Sequence, residues 1–210
     1  RKIAVILATD VVGYSTKMEE NEVQTLKNLK ACRNIIDVLV DEHHGRIFNT
    51  AGDSVLAEFS SAVNAVECGV AFQNQIKKKN EHDTSDVKLE FRLGINMGDV
   101  VSKGDNLLGD GVNIAARLEA LAQPGGITIS KSVYDFVAPK TKMTFNDLGI
   151  QKVKQNEFHA YDILLHPSQK RTIRKKNNGS TLLISGICAF VIIIGALVFY
   201  LNGAAIKNDN

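Results

Sequence analysis

The sequence lacks an excess of charge of either sign. Its 210 residues carry 25 Lys and Arg against 23 Asp and Glu, a net charge of +2. Nucleic-acid-binding domains usually show a strongly basic footprint, so no nucleic acid is expected as a partner. Cysteine is scarce too. Cys32, Cys68 and Cys188 are widely spaced, with no CxxC pair and no even-numbered framework. That points away from a disulfide scaffold and toward a reducing compartment. No signal peptide, internal repeat or low-complexity segment is visible. The chain opens on Arg1 rather than Met and is read as starting inside a longer chain. What is there is 44% hydrophobic residues, enough for one well-buried domain plus something extra.

The extra piece is at the end. Residues 181–201, TLLISGICAFVIIIGALVFYL, carry no charge, and about 20 apolar residues suffice to cross a bilayer as a helix. Lys170, Arg171, Arg174, Lys175 and Lys176 precede the run, while only Lys207, near Asp209, follows it. The positive-inside rule then expects a single-pass protein of the inner or plasma membrane with its N-terminal domain in the cytoplasm. The organisation expected is a folded domain at 1–165, a basic linker at 166–180, the span at 181–201 and a short, truncated extracytoplasmic tail at 202–210. The basic run is read either as touching anionic lipid or as a solvated linker.

Along the domain, IAVILA (residues 3–8) has the length of a strand. A helix is expected over residues 19–43, where Leu26, Leu29, Ile35, Ile36 and Leu39 recur at spacings near three and four. Gly45 is read as its stop. Residues 46–49 and 54–59 read as a hairpin. Ser60-Ser61 offers a cap for a second helix. Residues 87–96 alternate as a strand, Gly98-Asp99 reads as a turn, and VVS as a returning strand. A helix over 112–122, a short strand at 127–129, a short helix after Ser130 and further β structure at 144–148 and 160–165 complete the reading. Helices and strands mix without βαβ repetition, which implies an α+β fold with helices on one face of a sheet.

Three polar features stand out, each with a plain alternative. Asp10, in ATDVVGYS, ends the first strand, where ligands are often held; it could equally cap the next turn. Asp53, in RIFNTAGDSVLAEF, sits in a hairpin turn and reads alone as a turn residue. Together the two carboxylates suit a hard cation such as Mg²⁺, which takes one or two carboxylates plus substrate phosphates. In GDGVNIAARLEAL, Asn113 and Arg117 are four apart and share a helix face. An amide beside a guanidinium suits a sugar oxygen and a phosphoryl group. The plain alternative is a surface Arg117 paired with Glu119 or Asp110.

ATDVVGYS, NTAGDSVLAEF, FRLGINMGDVV, LLGDGVNIAARLEAL and PGGITIS follow one another at sensible spacing. In that order they resemble the catalytic domain of class III nucleotidyl cyclases, the adenylate and guanylate cyclase family, over nearly all of residues 2–165. The resemblance implies a ferredoxin-like mixed sheet with helices packed on it. It implies attack of a nucleoside triphosphate's 3′-hydroxyl on its own α-phosphate, with pyrophosphate leaving. Two divalent ions, Mg²⁺ or Mn²⁺, would be held by Asp10, Asp53 and the Val11 carbonyl. Asn113 would orient the ribose and Arg117 would stabilise charge on the α-phosphate. Lys154 lies near a phosphate-binding lysine of the family, or is a solvated strand-edge residue. The family pairs its domains head to tail, with the aspartates from one and the Asn and Arg from the other, so a homodimer is expected.

The chain departs from the family at the positions that select the base. Many adenylate cyclases carry Lys where this chain has Asn49, and Asp, Thr or Ser where it has Asn106; guanylate cyclases tend to carry Glu and Cys. Asparagine offers both a donor and an acceptor, so it pairs with either purine edge. ATP is the substrate expected, with GTP the alternative. A silent cyclase-like regulatory module is the rival reading, disfavoured because Asp10, Asp53, Asn113 and Arg117 are all present.

Overall fold

Six consecutive apolar residues need cover on both faces of a strand, and the sheet supplies it. The computed structural model describes residues 1–153 and 156–172. In β1 (Lys2–Val11), Val5, Leu7 and Val11 enter the main core, while Ala4, Ile6 and Ala8 enter a smaller core on the opposite face. The other strands are β2 (Gly45–Ala51), β3 (Ser54–Phe59), β4 (Phe91–Lys103), β5 (Asn106–Leu108), β6 (Ile127–Ser130), β7 (Thr144–Val153) and β8 (Asn156–Leu164). They order as β2-β3-β1-β4-β6-β8-β7, with β5 paired to β4. Among the described residues only β4 and β6 run parallel, so the sheet is mixed, as the α+β reading expects.

Helices α1 (Tyr14–Glu42), α2 (Ala62–His82) and α4 (Lys131–Val137) cover one face through Leu29, Ile36, Val66, Phe72 and Val133. Helix α3 (Asp110–Leu121) covers the other, with Ala115 in the smaller core. The expectation of helices on one face is therefore corrected. The cause is two glycines in FRLGINMGDVV. A Cβ on Gly94 would overlap the Ala115 carbonyl and the Glu119 amide, and one on Gly98 would stand 3.3 Å from Gly111 Cα. Strand and helix meet backbone to backbone there. Gly98-Asp99 is thus no turn. The strand runs straight through it, and the chain reverses at Gly104 (φ 61°) to begin β5.

Two further boundaries differ for local reasons. Helix α1 begins at Tyr14 and breaks at Asn21 (φ −158°, ψ 84°), whose Oδ1 accepts from the Gln24 amide and caps the second part. At its other end the left-handed residue is His44 (φ 58°), not Gly45. Gly45 starts β2 and is small because the Phe59 ring lies where its Cβ would be. Ser61 and Ser130 cap α2 and α4 as read, accepting from the amides of Asn64 and Val133. Cys32 and Cys68 are free and buried in the main core.

Residues 166–172 are bonded to the domain, which extends as one unit over Arg1–Thr172. Lys154, the basic residues 174–176 and the apolar run 181–201 lie outside the described residues. Among the described residues, no helix is long and apolar enough to cross a membrane.

Candidate active site

Sheet register brings the two aspartates together. Strands β1 and β3 pair antiparallel with Thr9 opposite Val55, so continuing the register sets Val11 opposite Asp53. The Val11 amide donates to Asp53 Oδ2 at 2.9 Å. The hairpin turn around Asp53 is fixed from behind: Arg33 of α1 donates to the carbonyls of Gly52 (2.8 Å) and Ser54 (2.9 Å). On the other side of β1, Asp10 faces Arg92 of β4 in register. The guanidinium grips the carboxylate through Nη2 at 2.9 and 3.1 Å and Nε at 3.3 Å. Arg92 Nε also lies 3.0 Å from Glu119 Oε1 of α3.

Asp10, Asp53 and Glu119 thus gather three carboxyl groups around one cation, Arg92. Burial first, and then the adjoining Asp10 carboxylate, push Glu119 up to about 8; Arg92 opposes the shift and Asp53 adds to it. Desolvation and like charge both favour the neutral acid. A protonated Glu119 is the form that tolerates two ionised neighbours. The donor set fits divalent cations: two carboxylates at adjoining strand ends, with negative charge that one Arg does not balance. Among the described residues no group of three or more His, Cys, Asp and Glu side chains forms a cage. A site of one or two carboxylates completed by substrate phosphates is what Mg²⁺ prefers.

Arg117 has none of its plain partners. Glu119 is turned to Arg92, no hydrogen bond joins Arg117 to Asp110, and Arg117 Nη1 is buried without a hydrogen-bond partner. Helix geometry explains this. Two residues along an α-helix turn about 200°, so Arg117 and Glu119 project from opposite sides. Ala115 and Glu119 face β4. Asn113, four before Arg117, shares its outward side and is exposed. Within one chain, then, the acid cluster and the Asn113–Arg117 pair lie on opposite sides of α3.

The base-selecting candidates share one edge. Phe48 of β2 and Leu107 of β5 enter the same small core, and Arg46 donates to the Asp105 carbonyl at 2.9 Å. Asn49 and Asn106 adjoin these contacts and both are half-buried. Asn106 Oδ1 accepts from the Leu107 amide, leaving its amide nitrogen for another partner. Asn49 follows a bulge between Ile47 and Asn49 that re-aims it. A cavity of about 850 Å³ beside α2 and residues 165–169 is lined by none of the candidate residues. A half-site on an open face is not a cavity in one copy, so the geometry outweighs that hollow.

Arg33, Arg92 and Glu119 are site residues that sequence reasoning missed. Glu119 did stand in the quoted GDGVNIAARLEAL, offered as a partner of Arg117. The signal for its true partner is the packing of α3 on β4, which no local pattern carries.

The model of the adenylate and guanylate cyclase catalytic domain matches residues 2–165. A Rhizobium meliloti (strain 1021) protein named "Putative adenylate cyclase 3" is 45% identical over 158 residues, 75% of this chain and 27% of that relative. The chain thus spans about a quarter of that relative's length. The solved adenylate/guanylate cyclase/hydrolase of Silicibacter pomeroyi superposes with a TM-score of 0.72 at 36% identity, over 77% of this chain and 96% of that one. The adenylyl cyclase CyaB of P. aeruginosa shares the fold, with a TM-score of 0.68 at 24% identity over 81% and 97% of the two chains. With the family model matched over residues 2–165 and the fold shared with these solved cyclases, this chain belongs to the adenylate and guanylate cyclase catalytic-domain family.

Proposed function

We propose that the chain is the catalytic domain of a membrane-anchored adenylate cyclase, acting as a head-to-tail homodimer. The observation that carries this is the opposition across α3. The acid cluster faces one side, and Asn113 and an unpartnered Arg117 face the other. One copy thus presents two complementary half-sites. Val101 and Leu108, paired across β4 and β5 yet exposed, add apolar surface suited to a second copy.

In this reading Asp10, Asp53 and the Val11 carbonyl of one copy hold two divalent ions, Mg²⁺ or Mn²⁺. When bound, these supply acidification of the ribose 3′-hydroxyl and charge neutralisation on the triphosphate. The partner copy brings Asn113 to the ribose and Arg117 to the α-phosphate. The 3′-hydroxyl gives up its proton to solvent, its oxygen forms a bond to the α-phosphorus, the bond from that phosphorus to the bridging oxygen breaks, and pyrophosphate leaves. Lys154 binds phosphate. Asn49 and Asn106 read the base; ATP is the substrate proposed. Residues 181–201 anchor the chain in the inner or plasma membrane with the domain on the cytoplasmic side.

The test is to incubate the chain with ATP or GTP and Mg²⁺ or Mn²⁺ at several protein concentrations, measuring cyclic AMP and cyclic GMP. Cyclic AMP whose specific yield rises with concentration supports the reading. Cyclic GMP alone makes it a guanylate cyclase. No product from folded, dimeric protein favours a silent module. Removing the Arg117 donors in R117A is expected to lower kcat by about 10²–10³-fold, the usual loss for a preorganised transition-state donor.

A further inference from the structure

Residues 166–172, which begin as a linker in composition, are laid across the end of α3. Gln169 Oε1 accepts from the amides of Leu165 (2.8 Å) and His166 (3.1 Å), and the Gln169 carbonyl accepts from Gln123 Nε2 at 3.0 Å. Two residues on, Arg171 makes the firmest contacts. Its Nε and Nη2 fork onto Asp162 of β8 at 2.7 and 3.0 Å, and Nη2 also donates to the Leu121 carbonyl at 2.8 Å. Asn146 of β7 donates to the Arg171 carbonyl at 2.7 Å. Asp162 is only 5% exposed, and its other contact is the Thr128 hydroxyl at 2.6 Å.

Leu121 is the last residue of α3, and its carbonyl is one of the terminal acceptors a helix leaves unpaired. A cation there also complements the negative end of the helix. The last turn of α3 holds no basic residue of its own; Arg171 supplies one from 50 residues downstream. In a helix the Leu121 amide bonds the carbonyl of Arg117, one turn back. The clamp therefore acts one turn from the group assigned to the α-phosphate. Undocking would strand Asp162 as a buried carboxylate, which is strongly unfavourable, so the segment is either docked or fully released.

We propose that Arg171 is a positioning residue of the nucleotide site. By tying the C-terminal end of α3 to β8, it makes the placement of Arg117 depend on whether residues 166–172 are docked. A pull on the chain beyond Thr172 then reaches the site through α3. This rests on the cyclase reading above.

The test uses the 210-residue chain carrying R171Q together with D162N, which removes the clamp without leaving a buried charge. If Arg171 serves only to neutralise Asp162, this pair restores wild-type behaviour. If it positions α3, hydrogen exchange rises locally at residues 117–122 while β1–β3 amides stay protected. In turnover, kcat falls by about 10- to 100-fold with KM within about twofold, since a displacement near 1 Å has that effect on a reacting group. Unchanged α3 exchange and unchanged kcat in the folded double variant overturn the proposal. Should the pair not fold, R171K keeps the charge facing Asp162 but cannot fork to Leu121, and the same two readouts decide. A wild-type chain with no turnover overturns the cyclase reading alone; the exchange measurement needs no nucleotide and still judges the clamp.

Discussion

Arg92 binds Asp10 and lies against Glu119, and the state of Glu119 reflects how closely charge is balanced there. Glu119 has an ordinary value of 4.5 and is raised to about 8 in the fold. The folded chain therefore binds a proton that the unfolded chain has released between those values, so stability falls as pH rises across that range. The stabilisation is complete below about 4.5 and lost as pH passes about 8. In chelator, the thermal midpoint is expected to drop over that range, and E119Q, fixed in the neutral form, should flatten the profile. A profile in E119Q as steep as in the parent would assign the slope elsewhere. Asp53→Ala should abolish cyclase activity and weaken Mn²⁺ binding, followed by electron spin resonance, while circular dichroism stays unchanged. Asp10 was singled out in the sequence by its place at the end of an apolar run, and Asp53, alone a plain turn residue, only by the ordered motifs around it. Arg33 and Arg92 were not: one lies on a helix 20 residues before Asp53, the other on a strand 82 residues after Asp10.

At the scale of the element, α3 is placed by what β4 lacks. Gly94→Ala puts a methyl against helix backbone, which cannot swing aside as a side chain can. Overpacking of that kind costs about 1–3 kcal/mol or more. Urea unfolding is expected to show that loss in G94A, together with loss of activity because Asn113 and Arg117 ride on α3. Stability equal to the parent would mean that the helix can lift without penalty. The same glycines explain where the sequence reading strayed. Gly98-Asp99 has the composition of a turn, but its glycine serves a neighbour rather than a φ angle, and the two uses look alike in a string of letters. Gly45 misled in the same way, being small for the Phe59 ring and not for a helix end. The capped starts of α2 and α4 were legible because Ser61 and Ser130 act on amides three residues away.

In the proposed reading the whole molecule carries two halves of a site that do not meet within it. Under head-to-tail pairing, D53A is inactive alone and R117A nearly so, but a mixed pair has one intact site. It joins the aspartates of the R117A copy to the arginine of the D53A copy. Random pairing makes half the dimers mixed with one good site in two, so equal mixing should restore roughly a quarter of wild-type activity. No recovery from folded, exchanging variants would count against the shared site. The family and the sheet were legible at this scale from five ordered motifs. The choice of base was not, since Asn49 and Asn106 each offer a donor and an acceptor.

The placing of the acid cluster and of Arg117 on opposite sides of α3 bears on how the gene is read out. Where a working site takes one half from each of two copies, a solitary chain makes no product. While pairs are scarce, their number grows roughly as the square of the number of chains. Doubling expression would then about quadruple the product, and the dosage of the gene becomes a signal in its own right.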